Sequence, residues 1–545
     1  MACYPDVDEN ALLEILNSLP PNSLECLEVF SSKYADIVTD EHLQALVHAG
    51  CGAALQSFCV DNLFKVSDVG LKALAEAGCG PQMTELHLSE SRKTYVDGTF
   101  VAKCSRTLLT DAGVQALTSN LCGQRIRTLH LKFLSKDITD ATVQAIVDAG
   151  CGPGLTDLDL TFCLALTSQS LCALATAGCG PELKSLTIQN NNIPRKLQML
   201  DGLNAIVASG AGTKLESCRI RDIVQSGITE VLEKMFAAGC GKTITTIDLM
   251  ELNELQDDAL ILLAQAAADG QLRTISLNTL PRITDAGIGA LAKCTHRVEH
   301  LCLAHIDMLT DAGLHALVHD GCLQNLQKLH LVHLPQTVTD AAFQAFADTK
   351  CLFKLQALHL KSFHNGIGDQ ALVYLADAGC GPSLTSLHLE HLGNVITDRG
   401  VETLAEAGCG PNLTALTLRS ERGRISGRSV RALAAAGCGP VVKKLFLQWA
   451  TTSFQDSDMQ CLIDAGLGPD LEVLELELDT IKLTDASIRA LAAAGCGKNL
   501  RVLYERATRI TDESVVFFMH SGYNRIRTRS PILIKGHRFG EKDFP

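Results

Sequence analysis

Cys409-Gly410-Pro411-Asn412-Leu413-Thr414-Ala415-Leu416-Thr417-Leu418 is one copy of a phrase that runs through nearly all of this chain of 545 residues. A second copy, Cys380-Gly381-Pro382-Ser383-Leu384-Thr385-Ser386-Leu387-His388-Leu389, closes on Ile396-Thr397-Asp398 and Ala407-Gly408-Cys409. The cysteine place recurs at 51, 79, 122, 151, 179, 211, 240, 268, 294, 322, 351, 380, 409, 438, 467 and 496, and every step from Cys322 to Cys496 is 29. Longer steps of 43 before Cys122 and 32 before Ala211 mark insertions. Self-similarity at a fixed period means stacked units rather than one globular core.

Each unit reads as strand, short loop, helix and turn. Leu413, Leu416 and Leu418 carry the alternation of a half-buried strand. Thr397 suits a helix N-cap, with Asp398 in the first turn against the positive dipole end. Val401, Leu404 and Ala405 follow at helical spacing. Gly408 suits a left-handed residue just past the helix, and Pro411 blocks its continuation. The Thr-Asp or Ser-Asp signal recurs at Thr39, Ser67, Thr110, Thr139, Thr284, Thr310, Thr339, Thr397, Thr484 and Thr511. Parallel strands stack about 4.8 Å apart, whereas helices need roughly 8–10 Å. Strands on a concave face and helices on a convex one therefore predict a curved α/β solenoid of about 17 repeats, a horseshoe.

The pattern Cys409-x-x-x-Leu413-x-x-Leu416-x-Leu418, with Ile396-Thr397-Asp398-x-Gly400-x-x-x-Leu404 before it, resembles cysteine-containing leucine-rich repeats. The resemblance covers about residues 24–520. It implies a protein-binding surface. The consensus places Cys or Asn eight residues after the first strand Leu. Here that place holds Cys163 once, but Leu252, Leu280, Leu334, Phe363 and Leu392 elsewhere, so apolar packing is expected to replace an asparagine ladder. Residues 1–23 read as an N-terminal capping helix. The solenoid spans 24–520 with insertions near 89–106 and 190–200. Residues 521–545 read as a C-terminal cap and basic tail.

Composition narrows the function classes. A net charge of −14 argues against a general nucleic-acid binder. No run of 18 apolar residues exists, so no membrane span is expected. The acidic start Met1-Ala2-Cys3-Tyr4-Pro5-Asp6 is expected to be neither a secretory signal nor a transit peptide. Of 22 cysteines, 13 sit in the repeat slot, which elsewhere holds Ala211, Ala268 and Leu467. A slot that accepts Ala and Leu wants a small or medium apolar group, and a free thiol behaves as one. Disulfides and metal are the less favoured readings. Buried free thiols imply a reducing compartment: the cytoplasm, the nucleus or a cytoskeletal assembly.

Two motifs invite chemistry. Gly239-Cys240-Gly241-Lys242-Thr243 resembles the end of a phosphate-binding loop. It runs from helix into strand, the reverse of the required polarity, and Phe236 stands where Gly is needed. Histidine is the better clue, with 11 of 17 between residues 296 and 391. His330, His359 and His388 occupy the middle outward strand position in consecutive units, and Cys302 holds that place one unit earlier with His300 beside it. His305, His333 and His391 form a second expected column at the strand's exit. Stacked imidazoles match the donors of zinc or another transition metal, a polar ladder for partner contact, or a device that charges near pH 6.5. The partner ladder is the preferred reading, with no metal and no cofactor. Phe446, Trp449 and Tyr504 are candidate aromatic anchors.

No nucleophile–base–acid order appears, so no catalytic residue is assigned and the chain reads as a non-enzyme. The expected function is an interaction scaffold that presents its concave strands to protein partners. The alternative is the substrate-recognition subunit of an SCF-type ubiquitin ligase, because the resembled repeats often follow an F-box. No complete F-box is visible in the roughly 23 residues before the first strand.

Overall fold

The computed structural model describes residues 2–3, 9–29, 38–60, 63, 65–89, 93–96, 99–102, 108–121, 123–189, 199–223, 226–239, 242–268, 271–319, 323–362, 366–390, 395–420, 424–449, 454–478, 483–496 and 502–505. The chain forms two compact units, residues 1–272 and 273–545. In the first, eight repeat strands lie parallel in chain order: Cys26–Val29, Ser57–Val60, Glu85–Ser89, Thr128–Lys132, Asp157–Thr161, Ser185–Gln189, Ser217–Arg221 and Thr246–Met250. In the second there are nine: Thr274–Asn278, His300–Ala304, Lys328–Val332, Ala357–Lys361, Ser386–Glu390, Ala415–Ser420, Lys444–Trp449, Val473–Leu478 and Val502–Glu505. Helical segments separate successive repeat strands in both units. This is the leucine-rich-repeat solenoid that the period implies.

One repeat shows how the residues dictate it. Thr397 is extended, and its hydroxyl accepts from Arg399 N at 3.2 Å, which starts helix Asp398–Glu406. Val401, Leu404, Leu413, Leu416 and Leu418 are all fully buried. Each contributes about 1.5–3 kcal/mol. The helix ends in a Schellman motif. Gly408 N donates to Ala405 O and Cys409 N to Leu404 O, both at 3.0 Å, with Gly408 at φ +92°. That motif pairs its last residue with the side chain three before the helix end. Cys409 is that residue; its amide is bonded to Leu404 O, and both side chains are fully buried. Gly410 is needed for a different reason: a Cβ there would lie 2.7 Å from Ala436 O of the next repeat.

The cysteine slot is therefore the closing position of the helix cap. Cys51, Cys79, Cys151, Cys179, Cys380, Cys409, Cys438 and Cys496 are unbridged thiols with no exposure. Ala211 and Leu467 fill the same place, also buried. Ala268 does not. Without the glycine turn, Ala267 becomes the buried residue and Ala268 lies at the surface. Burial pushes the Cys79, Cys151, Cys409 and Cys438 thiols up to about 12. A thiol reagent on the native protein is expected to modify the half-exposed Cys172 and Cys461 first, leaving those four intact until denaturant is added. Rapid native labelling of Cys409, read by peptide mass spectrometry, contradicts the assignment.

The Thr-Asp signal does more than cap a helix. Asp369 accepts from Thr397 N at 2.7 Å, Thr397 Oγ1 at 2.6 Å and Gly400 N at 3.2 Å, all in the following repeat. Asp398 repeats this on Ser426 and Ser429. The same N-cap amide and hydroxyl bonds start from Asp40, Asp68, Asp111 and Asp140 in the first unit, and from Asp285, Asp311 and Asp456 in the second, while Asp340 accepts from the amides of Gly368 and Ala371 alone. It is interrupted where Ser168, Leu200 and Ile228 in the first unit and Gly427 in the second stand in the aspartate's place. At Gly427, Asp458 from the next helix accepts from Arg431 and Gln455 N instead.

A second feature was not foreseen. The residue after many strands adopts positive φ although it is not glycine: Phe133, Phe162, Asp222, Glu251, Thr279, His305 and His333, at 50–61°. Each costs about 1–2 kcal/mol. The repaying bond extends the ladder, as when Phe133 N donates to Thr161 O at 2.7 Å and His333 N to Lys361 O at 2.6 Å.

The insertion near 89–106 is more than a loop. It contains an antiparallel hairpin, Lys93–Val96 with Thr99–Ala102, forming a separate two-stranded sheet. Where the leucine-rich consensus expects Cys or Asn, Leu252, Leu280 and Leu334 are buried, and the Cys163 thiol reaches Leu131 O at 3.0 Å. At the N-terminus, helix Glu9–Asn17 buries Leu12 and Leu16 and packs against helix Asp40–His48. The 521–545 tail and residues 190–198 of the second insertion lie outside the described residues.

Candidate functional site

The open face of each sheet, opposite the helices, carries the outward strand positions. Along many strands, buried leucines alternate with half-exposed residues, as in Leu387-His388-Leu389. In the second unit the middle column runs Ser276, Cys302, His330, His359, His388, Thr417, Phe446, Glu475 and Tyr504, each in register with the next. Parallel pairing without a slip is what brings residues 29 apart into contact.

His330 and His359 have ring centroids 5.5 Å apart at 71°, and His359 and His388 5.5 Å apart at 54°. His388 Nε2 lies 2.8 Å from Ser386 Oγ. His300 sits on the same face, one strand position before the column. Burial, then the neighbouring His359, lowers both His330 and His388 to about 4. These two rings are therefore neutral near pH 6.5, which counts against the alternative reading of the ladder as a device that charges there. No three His, Cys, Asp or Glu side chains among the described residues are arranged to hold a metal ion.

Sequence reasoning passed over the neighbouring column. Lys361, Glu390 and Arg419 occupy the last outward position of three successive strands. Glu390 Oε1 lies 3.5 Å from His359 Nε2, and Oε2 lies 3.5 Å from Arg419 Nη1 and 3.9 Å from Lys361 Nζ. Burial alone would raise the Glu390 carboxyl. His359, Arg419 and Lys361 overcome it and hold Glu390 down at about 2. The signal was available in the sequence, since 361, 390 and 419 share the same 29-residue step.

At the strand exits, His305 and His333 stack at 4.6 Å and 32°. His391 lies outside the described residues, and Ser362 holds the place between His333 and His391, so the expected column is not continuous. Phe446 is half-buried between Thr417 and Glu475. The backbones of Trp449 and Tyr504 extend their strands, while their side chains lie outside the described set.

The first unit has a shorter version of the same arrangement. His87 and His130 meet edge-on at 5.3 Å, and His130 Nε2 lies 3.0 Å from Asp157 Oδ1. Lys132 Nζ is 2.8 Å from Asp159 Oδ2. Phe133 and Phe162 stack at 4.9 Å on the exit rim. On the same rim, burial and then the Glu251 carboxyl push Asp222 up to about 7. No helix among the described residues is long and apolar enough to cross a membrane.

No protein-family model and no curated protein sequence matches this chain. Among solved structures it is similar to the Rad7 and Elc1 complex in yeast, with TM-score 0.45 and 16% identity, over 74% of this chain and 86% of that one. It is also similar to an internalin (inlF) from Listeria monocytogenes str. 4b F2365, with TM-score 0.34 and 18% identity, over 70% of this chain and 81% of that one. Neither likeness bears on function. The repeat geometry above establishes the fold.

Proposed function

We propose that this chain is a non-enzymatic scaffold whose open sheet face binds a protein partner. One observation carries the reading. The inward leucines repeat from strand to strand and are buried, while the middle outward position changes along the sheet, from Ser276 and Cys302 through three histidines to Thr417, Phe446 and Glu475. A face needed only for folding would repeat as the core does. Mixed imidazole, charged and aromatic groups on a rigid sheet suit a protein surface. The buried unbridged thiols support a reducing compartment.

Cross-linking mass spectrometry of the chain with its partner tests this. Links are expected at Lys328, Lys361 and Lys444 on the strands. Links confined to Lys72 and Lys234, which lie on helices, would sink the proposal.

A further inference from the structure

The aspartate ladder is missing from three consecutive junctions of the first unit. Ser168, Leu200 and Ile228 stand where its carboxylate would, and the helices that begin at Leu200, Ile228 and Asp257 have no side-chain cap bond. At the Ile228 junction a neutral bond, from Gln256 N to Thr229 Oγ1 at 3.1 Å, takes the carboxylate's place.

Other bonds join the same repeats at the exit rim of the sheet. Gln189, Arg221 and Met250 are in register at the ends of three successive strands. Asp222 and Glu251 follow directly, both at positive φ, 61° and 56°. Asp222 N donates to Met250 O at 2.9 Å, which holds the two exits together. Buried Gln189 donates from Nε2 to Asp222 Oδ2 at 2.9 Å. The Asp222 carboxyl in turn bonds the Glu251 carboxyl. Gln189 thus serves the junction left open at Leu200, and the carboxyl pair serves the one left open at Ile228.

Two carboxylates have no donor between them and repel. The second bond exists only while one oxygen carries a proton and donates it. The adjoining segments carry Arg219 and Arg221 on one strand, Asp248 on the next and Glu254 beyond Glu251, while strand Ser185–Gln189 carries no charge. Arg221 is turned onto Asp248. The proton, rather than a cation, therefore keeps the pair together.

We propose that Gln189, Asp222 and Glu251 form a proton-dependent clasp across three successive repeats, closed while the two carboxyls share a proton and loosened when that proton leaves to water. Burial, then Glu251, holds the proton on Asp222 up to about 7, against 3.8 for the ordinary residue. The clasp is therefore strongest below 3.8 and weakens as pH rises to 7. The sign is opposite to that of His87, His330 and His388. Where the ladder is present, coupling between repeats does not depend on this proton.

Amide hydrogen exchange of strand Ser217–Arg221 in the full chain, corrected for the intrinsic rate, is the test. Protection is expected to fall about tenfold between about pH 5 and pH 8. Asp222→Asn and Glu251→Gln each supply an amide donor that needs no shared proton, so each should remove this pH dependence. Asp201→Asn, an exposed acid on the helix that begins at Leu200, should leave it in place.

Protection that does not change with pH in the intact chain, or a fall that survives both amide variants, overturns the proposal. So does an equal loss of the dependence with Asp201→Asn. If neither amide variant folds, the infrared band of a protonated carboxyl decides: it is expected in the intact chain just below neutral pH and gone in alkali, and its absence below neutral pH overturns the clasp.

Discussion

Asp398→Ala is expected to lower the unfolding free energy by about 3 kcal/mol, measured by urea denaturation. Its carboxylate accepts from Ser426 N at 2.7 Å, Ser426 Oγ at 2.6 Å, Ser429 N at 3.1 Å and Ser429 Oγ at 2.5 Å. Hydrogen bonds to a charged group contribute about 1.5–3 kcal/mol each when buried. This site is only half-buried, and water recovers part of what is lost. Asp398→Asn keeps one acceptor oxygen and should lose about half as much. The bonds join two repeats, so the alanine variant should also broaden the transition as neighbouring repeats uncouple. A variant within about 0.5 kcal/mol of the parent would show that the ladder is ornamental.

Acidification is expected to destabilise the fold between about pH 6.5 and 4 through buried His87 and the half-buried His330 and His388. Burial is the first cause at His87, held near 3 with help from Lys132 and His130, and at His330 and His388, held near 4. The unfolded chain takes these protons near 6.5, whereas the folded chain does so only near 3 or 4. In that window the unfolded state binds more protons, so stability rises with pH and is complete above 6.5. At one pKa unit per 1.36 kcal/mol, His388 contributes up to about 3 kcal/mol of the loss.

Glu390 acts in a lower window, because its folded value near 2 lies below the ordinary 4.5. Its contribution is present above 4.5 and is lost as pH falls towards 2. His388→Gln should flatten the slope of unfolding free energy between pH 6.5 and 4.5. An unchanged slope would mean that the ring is already free to protonate in the folded chain.

The period made the fold legible. Once Cys380 and Cys409 were aligned, the strand register followed, and with it the column from Ser276 to Tyr504. Alignment said less about bonds that run between repeats. Thr397-Asp398 reads as a cap within one helix. That Asp369 serves the next helix follows only from the stacking distance. The charge column Lys361, Glu390 and Arg419 had the same period as the histidines but lacked their repeated identity, so it did not stand out. The hairpin at 93–102 also left a signal, Val96-Asp97-Gly98-Thr99 between β-branched and aromatic residues. The positive φ at Phe133 and His333 left none, because nothing about Phe or His favours that backbone.

The aspartate ladder bears on how such a chain changes length. Each repeat brings acceptors for its successor and donors for its predecessor, as Asp369, Thr397 and Asp398 do. A duplicated copy therefore joins at both ends without redesign, and a whole copy can be removed with the junction still matched. Ser168, Leu200, Ile228 and Gly427 mark the joints where that interchangeability has been given up.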